Sequence, residues 1–211
     1  MKKLTQSYYC GASQSQIIYE TIGNYFDGTC AANPEVEALV VRHQNVRWSY
    51  QQLQEQVNSL ATGLLALGVQ VGDRVGIWGP NSAEWVMVQL ATAKIGAIMV
   101  CINPAYRTYE LEYALNKVEC DTIITAEQFK SSDYLGMLQT LAPELADCEP
   151  CALQSKTLPH LKRVIRMGKE KSPGMLNFDD VCGMGTAEHQ ARLAELAAEL
   201  RPDDALSLIH I

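Results

Sequence analysis

Between residues 74 and 125, the pattern of apolar and polar positions predicts two consecutive strand–helix–strand units. Apolar runs over residues 74–78, 97–102 and 121–125 have the length of buried strands. Apolar positions at helical spacing connect them over residues 85–95 and 108–117. Strands that are apolar along their whole length are typical of a parallel sheet covered on both faces. The sequence therefore predicts an α/β fold, mostly parallel, with right-handed crossovers.

Local signals mark the ends of the first connecting helix. The turn sequence Gly79-Pro80-Asn81 ends the first strand, because proline cannot donate a backbone hydrogen bond. Asn81 or Ser82 is then expected to cap the helix, with Glu84 reaching back to free amides. Gly96 is expected to end it. In the second unit, Thr108 is the expected cap.

Upstream of these units, the pattern predicts a hairpin and a long helix. Residues 38–41 and 46–48 alternate like two strands around a turn at 43–45. Ser49 and Gln52 have the spacing of a capping box. Apolar side chains then recur at intervals of three and four and predict an amphipathic helix, which Gly68 ends; they are Leu53, Val57, Leu60, Leu64 and Leu67.

Downstream of residue 130 the pattern is looser. A helix is expected within residues 131–145, and residues 147–159 are rich in turn formers. Residues 162–166 predict a strand whose basic side chains are solvated. Residues 173–185 are expected to form a loop, and residues 186–200 a last amphipathic helix.

Composition places the chain among ordinary globular proteins. Of its 211 residues, 47% are hydrophobic, without an apolar stretch near the 18 residues of a membrane span. Because the polar start does not resemble a secretory signal, we expect a cytoplasmic location. Seven scattered cysteines fit a reducing compartment better than a disulfide framework. The formal net charge of −7 argues against nucleic-acid binding.

The motifs that resemble sites of chemistry are each incomplete. Cys148 and Cys151 have redox or zinc spacing, but two further zinc ligands at paired spacing are missing. The spacing of Gly63 and Gly68 resembles a phosphate loop, yet Val69 stands where lysine is required. Other weak candidates are better explained as turns or surface residues: Asp179, Asp180, His43, His189, Gly183 and Gly185. By residue spacing alone, the chain is therefore an α/β domain without a complete active site.

Over roughly residues 15–205 the chain resembles the N-terminal part of the adenylate-forming (AMP-binding) enzymes. Three segments carry the likeness in order: residues 47–53 (RWSYQQL), residues 72–82 and residues 96–104. Within that superfamily, residues 103–107 (NPAYR) and 158–165 are most similar to fatty acyl-CoA synthetases of the medium-chain type. The resemblance implies an incomplete N-terminal subdomain of the adenylate-forming synthetase fold.

The resemblance also implies a reaction. Such enzymes join a carboxylic acid to the α-phosphate of ATP with Mg²⁺, then pass the acyl group to coenzyme A. The family holds the phosphates with a Ser/Thr/Gly-rich loop, which begins a few residues beyond the part resembling residues 201–205. Because that loop is absent here, the resemblance implies no catalytic, cofactor-binding or metal residue in this chain. We expect the chain to be inactive and to bind none of the three cofactors well.

The domain boundary follows from the last six residues. Residues 206–211 (LSLIHI) read as one frame of CTGTCTCTTATACACATC, a transposon end sequence ligated to DNA in some sequencing libraries. We expect residues 1–205 to be a partial domain, with residues 1–15 flexible, and residues 206–211 to be a non-native tail.

Two alternatives stay open. The acid could be an aryl or short-chain carboxylate, since the pocket that selects it would lie largely beyond residue 211. The chain could also be a complete, non-catalytic α/β binding module with a closed polar surface. A fragment would instead expose a large apolar patch, because the helix over residues 85–95 is apolar nearly all round and needs cover.

Overall fold

The computed structural model describes residues 18–209. Residues 1–15, expected to be flexible, lie outside them. The helices are α1 (Ile22–Ala32), α2 (Tyr50–Ala66), α3 (Ala83–Ile95), α4 (Thr108–Lys117), α5 (Tyr134–Leu141), α6 (Phe178–Cys182) and α7 (Ala187–Glu199). The strands are β1 (Glu37–Val41), β2 (Val46–Ser49), β3 (Arg74–Trp78), β4 (Ile98–Ile102), β5 (Thr122–Thr125), β6 (Gln128–Phe129), β7 (Ser132–Asp133), β8 (Arg163–Arg166), β9 (Leu176–Asn177) and β10 (Ser207–Ile209).

A six-stranded parallel sheet, in the order β10-β4-β3-β5-β8-β9, forms the centre of the fold. Strand β3 lies between β4 and β5, with Gly76 opposite Val100 on one side and Ile123 on the other. Antiparallel pairs β1–β2 and β6–β7 lie outside this sheet. The predicted α/β class with a mostly parallel sheet is confirmed.

Strand side chains alternate between two cores. Val75 and Ile77 face the core that contains α1, α2, α3, α6 and α7. Trp78, Val100 and Ile123 face the opposite core, which α4 and α5 cover. Helix α3 packs against α1, α2, α7 and the sheet, so its almost uniformly apolar surface is covered on several sides, as its sequence requires.

The predicted helix ends are mostly confirmed. Ser82 caps α3 by accepting a hydrogen bond from the Trp85 amide, and Gly96 ends it in the left-handed conformation at φ 71°. Glu84 does not reach back to free amides as predicted, because its carboxylate accepts a hydrogen bond from the Gln44 side chain. Arg107 rather than Thr108 occupies the N-cap position of α4, where its amide donates to Glu110 Oε2 at 3.1 Å.

The hairpin and the long helix after it also agree with the prediction. Strands β1 and β2 flank a 3-10 turn over Arg42–Gln44, and Asn45 closes the turn at φ 55°. Ser49 and Gln52 form both hydrogen bonds of the predicted capping box at the start of α2. Gly68 follows the helix at φ 79°, where a side chain would be strained.

Downstream, two predictions are wrong. The expected loop over 173–185 contains β9 and α6, so Asp179 and Asp180 lie in the first turn of a helix. The basic side chains of β8 are not all solvated, since that of Arg166 is 4% exposed and pairs with Glu127. Arg163, also largely buried, pairs with Asp121. Burial is possible because residues flanking β5 provide a carboxylate for each guanidinium.

Candidate functional site

The loops at the carboxyl ends of the strands diverge around β3. The chain leaves β3 for α3 on one face of the sheet, and leaves β4 for α4 on the other. In open α/β sheets, ligands bind where neighbouring loops part in this way. We call this place the carboxyl-edge crevice and define it by residues 79–82, 103–107 and 126–127.

An aromatic pair supports one wall of the crevice. The rings of Trp78 and Tyr134 stack with centroids 3.8 Å apart. Trp78 Nε1 donates to the Asn103 carbonyl oxygen at 3.2 Å, and the Tyr134 hydroxyl donates to the Pro104 carbonyl oxygen at 2.6 Å. Burial raises the pKa of Tyr134, so the hydroxyl remains a donor at neutral pH. The loop after β4 is thereby held from two directions.

The loops after β3 and β5 approach each other closely. The Ala126 amide donates to the Trp78 carbonyl oxygen at 2.9 Å. A Cβ on Gly79 would lie 3.2 Å from the Ala126 Cβ, tighter than ordinary packing. The glycine that the sequence marked as a turn former therefore also lets two loops pack together.

The N-terminus of α3, which opens toward the crevice, is occupied by protein groups. The Ala83 amide donates to Gln44 Oε1 at 2.7 Å, and the Trp85 amide donates to Ser82 Oγ. Gln44 Nε2 donates in turn to Glu84 Oε2 at 2.7 Å. Free amides at a helix N-terminus attract phosphate. Here two of them are paired and a carboxylate stands beside them, which disfavours a phosphate at this position.

The cysteine pair at 148 and 151 has none of the features of a reactive site. Residues 149–152 form a turn in which the Ala152 amide bonds to the Glu149 carbonyl oxygen, with Cys151 at φ 68°. Burial raises the pKa of both thiols, so they remain protonated at neutral pH. Within residues 18–209, no three His, Cys, Asp or Glu side chains are grouped so as to hold a metal ion.

The other weak candidates have structural roles. His189 accepts a hydrogen bond from the Thr186 amide at the start of α7. Gly63 packs against α6, where a Cβ would lie 2.0 Å from the Val181 carbonyl oxygen. Asp180 is near Lys171 at the surface, 3.7 Å between carboxylate oxygen and Nζ. The structure does not bring these residues together at the crevice.

Sequence reasoning did not identify Gln44 or Tyr134. Gln44 is separated from α3 by about forty residues, so no local spacing links them. Tyr134 lies in a short helix whose bounds were only approximate in the sequence. Neither residue is part of a motif, and each acts through a long-range hydrogen bond.

Comparison with known proteins decides the family. The family described as "AMP-binding enzyme" matches residues 26–210. The chain belongs to this family. None of the helices within residues 18–209 combines the length and apolarity needed to cross a bilayer.

Curated relatives are much longer than this chain. It is 44% identical over 190 residues to "Medium-chain acyl-CoA ligase ACSF2, mitochondrial" of Mus musculus, covering 90% of this chain and 30% of the relative. It is 43% identical over 188 residues to the Homo sapiens protein of that name, covering 89% of this chain and 30% of the relative. Identity to "Putative acyl-CoA synthetase YngI" of Bacillus subtilis is 33% over 194 residues, covering 92% of this chain and 35% of the relative. The chain thus spans about a third of these relatives.

Solved structures show the same fold. The anthranilate CoA ligase AuaEII, in complex with anthranoyl-AMP, matches with a TM-score of 0.67 and 22% identity, covering 81% of this chain and 29% of that one. FadD1, a long-chain-fatty-acid-CoA ligase from Archaeoglobus fulgidus, matches with a TM-score of 0.66 and 22% identity. The match covers 85% of this chain and 33% of FadD1. These matches confirm the expected N-terminal fold of an adenylate-forming ligase.

Proposed function

We propose that this chain is the N-terminal part of an ATP-dependent acyl-CoA ligase, which activates a fatty acid and transfers it to coenzyme A. The observation that carries the proposal is 44% identity, over 90% of this chain, to a relative named as a medium-chain acyl-CoA ligase. The match runs through both strand–helix–strand units, which form the central part of the fold.

The proposed reaction has two steps. The fatty-acid carboxylate attacks the α-phosphorus of ATP, forming the acyl–AMP anhydride and releasing pyrophosphate. The thiolate of coenzyme A then attacks the acyl carbon, forming the thioester and releasing AMP. A carboxylate resists attack by a thiol directly, so AMP serves as the leaving group.

We propose no catalytic, cofactor-binding or metal role for any residue of this chain. Gln44 and Glu84 occupy the N-terminus of α3, which supports the proposal because a phosphate is disfavoured beside that carboxylate. The proposed contribution of residues 70–125 is a scaffold, because β3, β4 and β5 set the positions of the crevice loops.

The proposed domain bounds rest on the likeness of residues 206–211 to a transposon end sequence. We propose that residues 1–205 form the partial N-terminal domain and that residues 206–211 are a non-native tail. Both β10 and the family match extend into that tail. A foreign origin therefore predicts that the natural protein has other residues at these strand positions. Sequencing the genomic locus from independently prepared DNA tests this, and a natural stop codon after Ile211 would exclude it.

Assay of the protein encoded at that locus tests the function. With ATP, Mg²⁺ and coenzyme A, we expect thioester formation from octanoate to exceed that from benzoate or acetate. Preference for benzoate or acetate would support the aryl or short-chain alternative. Failure with every acid, by a folded protein, would favour the non-catalytic binding module.

Partners and location follow as proposals. We propose a small carboxylic acid as the substrate and no nucleic-acid partner, since the chain carries a formal net charge of −7. For location we propose the cytoplasm, although the mammalian relatives are named as mitochondrial. Cell fractionation of the tagged natural protein distinguishes the two compartments.

A further inference from the structure

The apolar surface of α1 is wider than the part that packs against α2 and α3. Phe26 and Cys30 are buried in the core on that side. Ile22 and Tyr25 lie beside them on the outward surface and are 48% and 51% exposed. Because a surface helix usually carries polar side chains outside its core stripe, this extra apolar width indicates a helix that is covered on a further side.

The exposed apolar residues of α1 belong to a cluster. Four large apolar side chains within eight residues are exposed, and we call them the α1 patch: Ile18, Tyr19, Ile22 and Tyr25. The Tyr19 hydroxyl donates to Asp203 Oδ2 at 2.8 Å, which connects the patch to the segment before β10. A single exposed apolar side chain is ordinary, whereas several together are typical of an interaction surface.

A recess of about 260 Å³ adjoins the α1 patch. Residues 20–22 line it on one side and residues 200–206 on the other, and we call it the α1 groove. Between them lie Ala93 and Ala97, both buried, so the floor of the groove is apolar. Its volume is below the usual range of small-molecule sites, and it therefore suits the side chains of a protein segment better than a ligand.

The length of the relatives and the position of residue 205 indicate what covers this surface. The match covers only 30% of the Mus musculus ligase, so most of a protein of that length lies outside it. Ala205, after which the natural protein is proposed to continue, itself lines the α1 groove. A segment of the same polypeptide is present at a high effective concentration, so it covers the patch at a lower entropic cost than a second molecule does.

We propose that the α1 patch and the α1 groove are the docking surface for an apolar segment of the natural protein downstream of residue 205. This proposal rests on the proposed function, since it requires a longer ligase of which this chain is the N-terminal part. It goes further by naming the surface of this chain that the remainder of the ligase covers. In the longer natural protein, Ile22 and Tyr25 are then buried.

Hydroxyl-radical footprinting read by mass spectrometry tests the docking surface. The 211-residue chain and the longer natural protein are labelled side by side. Tyr109, which is 79% exposed on α4 across the sheet, is the internal reference. We expect the ratio of Tyr25 to Tyr109 labelling to fall about threefold or more in the longer protein, because the core of an interface excludes water. Equal ratios in the two proteins would overturn the proposal.

Other occupants of the surface give different results. If deletion of residues 1–17 from the longer protein restored the labelling of Tyr25, the N-terminal segment would be the occupant. If dilution restored it, the occupant would be a second copy. Either result would overturn the proposal. Ligase activity is measured on the same samples. A labelled patch on an active ligase would overturn only the docking surface, and a protected patch on an inactive protein would overturn only the proposed function.

A substitution gives a second, independent readout. Tyr25→Asp should lower the thermal unfolding midpoint of the longer protein by at least about 3 °C, because docking would bury a carboxylate. In the 211-residue chain the shift should be smaller, since Tyr25 is half exposed there. Tyr113→Asp, at an exposed position of α4, is the matched control and should shift both proteins equally. Equal shifts of the two proteins by Tyr25→Asp would overturn the proposal.

Discussion

At the scale of single residues, Gln44 connects two parts of the fold that are distant in sequence. Its side chain pairs with the amide of Ala83 and with the carboxylate of Glu84, so the β1–β2 hairpin caps α3. The sequence predicted the hairpin and the helix separately, because each has local turn and cap signals. Their contact could not be predicted, since a lone glutamine in a turn has no spacing that indicates its partner.

Gln44→Ala should lower the free energy of unfolding by about 1–2 kcal/mol, because it leaves a helix amide without its cap and Glu84 without its donor. Urea unfolding followed by circular dichroism measures the change. Gln51→Ala is the matched control, since Gln51 is exposed and its side chain bonds only to the surface residue Glu55. It should change stability by less than about 0.5 kcal/mol. Equal effects of the two variants would refute the capping role.

Cys120 should make stability depend on alkaline pH. Burial raises the pKa of its thiol from 9.0 to about 12. From about pH 9 upward the unfolded chain loses this proton while the folded chain keeps it, so rising pH favours unfolding. The free energy of unfolding should fall by about 1.4 kcal/mol per pH unit from this group.

The check compares slopes rather than absolute stabilities. Between about pH 9 and 11, Cys120→Ala should show a flatter decline in unfolding free energy than the parent chain. Cys148→Ala, which removes a less buried thiol, should flatten it less. Parallel declines in the parent and Cys120→Ala would contradict the assignment.

At the scale of elements, the helices and strands with strong local signals in the sequence were the ones predicted correctly. Helices α2 and α3 were predicted with their starts and stops, because Ser49, Ser82 and Gly96 are cap residues beside strongly apolar runs. Strand β9 and helix α6 were missed. They have two and five residues, too few to show a period, and α6 is fixed by packing against α2.

Gly63→Ala should destabilise the chain by at least about 2 kcal/mol, because the new Cβ would lie 2.0 Å from the Val181 carbonyl oxygen and force α6 away from α2. Thermal unfolding measures the loss. Gly28→Ala is the matched control in α1, where nothing lies within 4 Å of the new Cβ. It should raise stability by about 0.5–1 kcal/mol through helix propensity. If Gly63→Ala and Gly28→Ala changed the stability in the same direction and by a similar amount, the α2–α6 contact would not be tight.

At the scale of the whole molecule, the parallel sheet and its cover on both faces could be predicted in outline, whereas the strand order and the carboxyl-edge crevice could not. Apolar strands and crossover helices specify a parallel sheet, but the loops that line its edge are positioned by Trp78 and Tyr134 through backbone contacts. The family resemblance supplied the reaction. No residue motif within the chain supplied it, because each candidate motif is incomplete in sequence.

The proposal of a fragment predicts exposed apolar surface. Ile209, on β10 at the edge of the sheet, is 68% exposed, and Ile22 and Tyr25 on α1 are about half exposed. The chain should therefore bind a hydrophobic dye such as ANS and self-associate in sedimentation experiments, and the longer natural protein should do both less. A monodisperse, dye-silent monomer would favour the binding module.

ATP–pyrophosphate exchange tests the central claim most directly, that these residues form a scaffold whose reactive groups lie elsewhere in the natural protein. Purified chain and the longer protein from the genomic locus are incubated with octanoate, ATP, Mg²⁺ and labelled pyrophosphate. We predict label in ATP with the longer protein and none with the 211-residue chain. Exchange catalysed by the chain alone would contradict the claim.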